Sequence, residues 1–88
     1  MPKTSNFTNT TFLVLSYLYD HRLKDNLVVA TQSEIAVALG YSRPTINRII
    51  TNLCQIGCVE TDGDHLGRYI VSSSGIKVVE TIRKVENI

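Results

Sequence analysis

The chain has 88 residues, with 9 Lys+Arg against 8 Asp+Glu and a net charge of +1. That length suits a single domain, since domains commonly run to about 100–150 residues, and it excludes a large multi-domain enzyme. Hydrophobic residues make up 43% and charged residues 19%, the balance of a globular chain rather than a disordered one. Phe12–Leu15 and Leu27–Ala30 are aliphatic or aromatic runs of four residues each, and the longest run, Ile35–Leu39, is five. A membrane span needs about 20 apolar residues, so none is expected. Residues 1–11 lack the apolar centre of a secretory signal, and the expected location is the cytoplasm.

Residues 1–9 are polar and read as a mobile arm on a single domain spanning 1–88. A helix is expected from Asn9 or Thr10, with Phe12, Leu13, Leu15, Leu18 and Tyr19 as its buried face. The polar strings Asp20-His21-Arg22 and Lys24-Asp25-Asn26 end it. Leu27-Val28-Val29-Ala30 is short, rich in β-branched residues and bounded by polar ones, as a strand would be. Thr31-Gln32-Ser33-Glu34 has the form of a capping box and opens a second helix that turns Ile35, Ala36 and Leu39 inward. Gly40 stops that helix.

Ser42 can cap a third helix, with Pro44 tolerated in its first turn. Ile46, Ile49, Ile50 and Leu53 form its buried stripe, and Gly57 ends it. Cys58–Thr61 and Arg68–Val71 alternate in polarity and flank the turn Asp62-Gly63-Asp64-His65-Leu66-Gly67, which predicts a β-hairpin. Ser72-Ser73-Ser74 offers caps for a last helix whose apolar face is Ile76, Val79 and Ile82, with Val78 and Val85.

Two short helices joined by a tight Gly turn form a helix-turn-helix unit. The unit needs a small residue where the helices approach, here Ala36. It needs a turn residue tolerant of positive φ, here Gly40. It needs an apolar residue of the second helix packing back on the first, here Ile46. The predicted fold is mainly α with a small β-hairpin: a winged helix-turn-helix in the order helix, short strand, helix-turn-helix, wing hairpin, C-terminal helix.

With Ser42 as cap, Arg43, Pro44, Asn47 and Arg48 fall on the face opposite the isoleucines. Arg43 is placed to read guanine and Asn47 adenine in a duplex major groove. Tyr41, Ser42 and Thr45 can bond phosphates, and the helix N-terminus favours anions. Gln32 and Ser33 open the preceding helix and can touch the backbone. Residues 32–57 carry only Glu34, Arg43 and Arg48 as charges, whereas residues 58–72 carry Glu60, Asp62 and Asp64 against Arg68. Arg68 therefore has two readings, a wing contact to DNA or a partner of these acids. His65 is read as balancing its acidic neighbours.

Residues 31–60 resemble the DNA-binding module of the cyclic-AMP receptor protein family. Gln32–Ala36, Leu39–Arg43, Thr45–Ile50, Leu53 and Gly57-Cys58-Val59 carry the likeness. From Gly57 to Ile82 the chain also resembles the MarR-type winged repressors, through Asp64, Arg68 and Ser72-Ser73-Ser74-Gly75. The resemblance implies that the third helix, at about 42–57, enters the major groove and that the hairpin is the wing. It also implies that Arg43 and Arg48 contact bases or phosphates. Pro44 stands where the receptor family commonly has an acidic reader, so that family's base preference does not carry over.

Cys54 and Cys58 are four apart, and with His21 and His65 they could be drawn into a zinc site. Their spacing matches none of the compact zinc patterns. Two reduced, small apolar residues are expected instead, with no metal and no cofactor. No catalytic triad, phosphate loop or nucleotide-binding Gly pattern occurs, so no enzyme is expected. The function expected is a sequence-specific double-stranded DNA-binding regulator of transcription, a repressor by resemblance. It is expected to act as a homodimer, with Val78, Ile82 and Val85 of the last helix as one possible seam. The alternatives are a winged-helix protein-interaction module, or an accessory DNA binder in plasmid or phage replication or excision.

Overall fold

Helices and short strands alternate along the computed structural model, which describes residues 9–63 and 67–86. In chain order they are α1 (Asn9–Asp20), a 3-10 turn (Lys24–Asn26), β1 (Leu27–Val29), α2 (Gln32–Leu39), α3 (Arg43–Gln55), β2 (Val59–Thr61), β3 (Arg68–Val71) and α4 (Ser73–Glu86). This is the expected order, a mostly helical winged helix-turn-helix. The expected arm falls on residues outside the description, except for Asn9, where α1 begins.

Local signals set the helix ends. The Thr31 hydroxyl accepts from the Glu34 N–H at 3.1 Å, and the Thr31 N–H donates to the Glu34 carboxylate at 2.8 Å. Both halves of the capping box that opens α2 are thus closed. Gly40 closes α2 at φ 77°, a left-handed conformation that costs glycine little. The N–H groups of Gly40 and Tyr41 both donate to the Ala36 carbonyl at 2.9 Å. α3 ends in a Schellman pair, with Gly57 N–H to Cys54 carbonyl at 3.1 Å and Cys58 N–H to Leu53 carbonyl at 3.0 Å. Ser72 caps α4 by accepting from Gly75 N–H at 3.1 Å, and donates to the Gly57 carbonyl at 2.5 Å. One serine hydroxyl therefore joins the start of α4 to the end of α3.

The sheet order is β1-β3-β2, antiparallel throughout. β3 lies in the middle, with Tyr69 opposite Val28 on one side and Thr61 on the other. The short strand before the helix-turn-helix thus completes the hairpin as a third strand. Ala30 extends the pairing beyond β1, its N–H donating to the Gly67 carbonyl at 2.9 Å.

The core gathers Val14, Leu15 and Leu18 of α1, Ile35 and Ala36 of α2, the α3 stripe Ile46, Ile49, Ile50 and Leu53, and Val79 of α4. Val28, Val59, Tyr69 and Val71 close it from the sheet. The α3 stripe matches the expectation residue for residue. The α1 face does not. Leu13 is 44% exposed, Phe12 and Tyr19 are half-buried, and Val14 is sealed. α1 packs against α2, α3 and α4, and the line meeting all three is Thr11, Val14, Leu15 and Leu18. On α4, Val79 is sealed, Leu39 of α2 and Ile76 and Val78 pack against the core's edge, and Val85 is 64% exposed. Val85 lies past Arg83, which already reaches the last residue of α1.

A polar clasp fastens α1 to α4 at that point. Arg83 donates two hydrogen bonds to the Asp20 carboxylate, at 3.0 and 2.9 Å. The Tyr19 hydroxyl donates to Glu80 at 2.8 Å, and this bond, with some desolvation, raises the phenol above its usual pKa. The Arg22 and Arg83 guanidinium groups stand 3.9 and 5.0 Å from the Tyr19 ring centre.

Gly75 is buried in the first turn of α4, and a Cβ there would collide with the carbonyl of Cys58. The obstacle is backbone fixed by the α3 terminus, so it has little room to yield. Gly75→Ala should lower unfolding free energy by about 1–3 kcal/mol, the usual cost of overpacking. Urea unfolding followed by circular dichroism measures it. Stability equal to the parent would show that α4 can lift from the Cys58 strand end freely.

Candidate nucleic-acid interface

α3 is divided along its length. Ile46, Ile49, Ile50 and Leu53 are buried, while Arg43, Pro44, Asn47 and Arg48 are exposed. Ser42 sets the start of this helix. Its hydroxyl accepts from the Thr45 N–H at 3.3 Å and shares a hydrogen bond with the Thr45 hydroxyl at 2.8 Å. The cap fixes the angular position of every later side chain. α3 contains two arginines and no acidic residue, and its N-terminal end points the positive pole of the helix towards the same surface.

The other residues expected at this surface gather beside it. Gln32, at the first position of α2, is half-buried and accepts from the Asn47 side-chain amide at 3.1 Å. Its own amide donates to the Tyr69 hydroxyl at 3.3 Å. Ser33 is exposed in the same turn. Tyr41 is half-buried, its hydroxyl 3.4 Å from that of Thr10. Thr10, Tyr41, Thr45, Asn47 and Arg48 line one side of an open groove of about 860 Å³ that continues along Thr51, Asn52 and Gln55. Its polar lining is hydroxyls and amides with one cation, and Ile49 adds apolar surface.

Arg68 stands apart from this group. Its Nε lies 3.2 Å from Asp62 across the hairpin. The Nε is buried and makes no aligned hydrogen bond, so the pairing is Coulombic. Arg68 thus meets one of the hairpin's acids, and its side chain stays partly exposed. Asp64 and His65 lie outside the described residues.

Tyr69, expected only as part of a strand, also meets this group: its hydroxyl accepts from Gln32, 37 positions away in sequence, and no local pattern signals such a pair.

Among the described residues no group of three metal-ligating side chains comes together. Cys54 is half-buried and Cys58 buried, both as free thiols. Burial pushes both thiols above their usual range, and the Glu60 carboxylate adds to this at Cys54. Among the same residues no helix is long and apolar enough to cross a membrane.

Helix-turn-helix, three-stranded wing and the divided third helix define a winged helix-turn-helix domain. The MarR family profile matches residues 5–67. The chain belongs to the MarR family. Solved structures of MepR from Staphylococcus aureus share the fold. One, described as a transcription regulator of the multidrug efflux pump MepA, is 30% identical with a TM-score of 0.73, over 89% of this chain and 56% of that one. A MepR–DNA complex is 27% identical with a TM-score of 0.73, over 97% of this chain and 60% of that one. MepR bound to ethidium bromide is 30% identical with a TM-score of 0.70, over 92% and 58%. The chain thus spans less than two thirds of these proteins. A comparison with curated proteins finds no match. The likeness to the cyclic-AMP receptor module is a minor addition to the MarR relationship.

The covered, neutral thiols carry a testable consequence. A thiol reagent at neutral pH should label Cys58 in native protein at least about tenfold more slowly than in urea, and the half-buried Cys54 by a smaller factor. The same shift has a sign for stability. The unfolded thiols ionise near 9.0 while the folded ones resist, so their contribution is complete below that pH and declines above it. Equal labelling rates at Cys58 with and without urea would refute its burial.

Proposed function

We propose that the chain reads double-stranded DNA by sequence and regulates transcription, with α3 laid in the major groove. The observation that carries this reading is the exposed face of α3. It presents Arg43, Asn47 and Arg48 with no acid on the helix, directly beside the hydroxyls and amides of Tyr41, Ser42, Thr45, Gln32 and Ser33. The MepR–DNA complex, on the same fold, supports the class of ligand. Arg43 sits at the first helical position, where a guanidinium can fork onto guanine O6 and N7. Arg48, one turn further along and lining the groove, suits a phosphate. Pro44, fixed in the first turn, offers an apolar contact rather than a polar reader.

The wing is assigned a smaller share. Arg68 is paired with Asp62 across the hairpin, which offsets part of its charge towards a duplex. One module of this size reaches few base pairs, and two copies on paired half-sites would double the contacts. The reading therefore includes a homodimer, acting in the cytoplasm.

Selection of bound duplexes from a random library by purified protein tests this. A palindromic motif is expected. Arg43→Ala should cost about 1–3 kcal/mol at the preferred site and relax one base position, whereas Arg48→Ala should weaken all sequences alike and reduce the salt slope by about 1. A folded protein that enriches no duplex, or affinity insensitive to salt, would remove the DNA reading and favour a protein-interaction module.

A further inference from the structure

We infer that Tyr69 is a positioning residue for base reading, acting on Asn47 through Gln32. The inference rests on the DNA reading proposed above and adds a residue to it from outside the helix-turn-helix.

Asn47 is exposed on α3, and a lone exposed amide would sample several rotamers. Here one of its N–H groups is tied to the Gln32 carbonyl oxygen at 3.1 Å. Gln32 would be equally free at the start of α2, but its amide nitrogen donates to the Tyr69 hydroxyl at 3.3 Å. Tyr69 is the fixed end of the chain. It is 5% exposed and belongs to β3, the middle strand, with Val28 and Thr61 opposite it on either side. Three elements distant in sequence thus share one strut, from the sheet through the first turn of α2 to the reading face of α3.

The strut leaves the reading chemistry intact. A side-chain amide has two donor hydrogens and a carbonyl acceptor. One hydrogen goes to Gln32, and the other, together with the carbonyl, is what adenine N7 and N6 require. Holding the amide plane before binding lessens what must be ordered when the duplex arrives. The Tyr69 hydroxyl never needs to touch DNA.

The test uses duplexes varied at the base position that Asn47→Ala relaxes. Tyr69→Phe removes only the hydroxyl. It should lower the preference at that position by about threefold to tenfold, the worth of one hydrogen bond. Preferences elsewhere and the salt slope should not change, because no charge is lost. In the Asn47→Ala background, Tyr69→Phe should have no further effect on that preference. Gln32→Met, cutting the strut in its middle, should lower the preference at that same position if Tyr69→Phe proves hard to fold; because Gln32 is itself a backbone-contact residue, only that position is compared. In the free protein, the Asn47 side-chain amide signals should move in Tyr69→Phe. Unmoved amide signals, an unchanged preference, an equal loss in the Asn47→Ala background, or no position relaxed by Asn47→Ala would each overturn the inference. A wild-type protein that selects no duplex would overturn the functional reading itself, and the amide signals separate that outcome from failure of the strut.

Discussion

Everything at the candidate interface depends on how α3 is seated. A helix of 13 residues must bury Ile46, Ile49, Ile50 and Leu53 deeply enough to be immobile, yet leave Arg43, Asn47 and Arg48 in solvent. Ser42 fixes the first turn and Gly57 the last, so neither rotation nor sliding is free. Burying one such aliphatic side chain contributes about 1.5–3 kcal/mol. Turning the helix by the width of one residue would expose part of that stripe and drive an arginine towards the core. The apolar side of α3 thus determines where its polar side points.

The surrounding elements extend the same control. α1 covers α3 from one side and is itself clasped to α4 by the Arg83–Asp20 pair. That clasp is exposed, and an exposed ion pair contributes only about 0–1 kcal/mol. Its value is geometric: it sets where the two helix ends meet, while Val79 and Leu18 supply burial. Ser72 and Gly75 do the corresponding task at the other end of α4, where the helix approaches the Cys58 carbonyl too closely for any side chain. The sheet closes the remaining side, and through Tyr69 it meets the first turn of α2.

The parts legible in the sequence were those whose partners lie within four residues. Thr31 with Glu34, Ser42 with Thr45, and Gly40 and Gly57 at positive φ each declare a helix end by local chemistry. The α3 stripe was legible because polar pairs separate Ile46, Ile49-Ile50 and Leu53 at helical spacing. α1 was harder for the opposite reason. Phe12-Leu13-Val14-Leu15 offers four apolar residues in a row, so periodicity alone cannot say which two face inward. The answer came from three packing partners, which select Val14 and leave Leu13 outside. The pairing of β1 with β3 spans about forty residues and has no local mark. The same holds for Tyr69. The candidate face of α3 was read from spacing, but the strut that orients Asn47 joins residues 15 and 37 positions apart.

The near-neutral total charge is compatible with a DNA reader once its distribution is followed. A duplex responds to the field at the contact surface, and that field falls off over about 8–10 Å at physiological salt. Within that range of the exposed α3 face, the helix itself contributes two cations and its positive pole, and no acid. The acids Glu60 and Asp62 sit on the hairpin, where Asp62 is already matched by Arg68. Asp20 and Glu80 are taken up in the α1–α4 clasp. Glu34, at the start of the preceding helix, is drawn back onto the Thr31 N–H. Several of the chain's acids therefore have internal partners, while Arg43 and Arg48 remain exposed on the reading face. A net charge of +1 is then what remains after structural pairs cancel, and it leaves the local surface cationic.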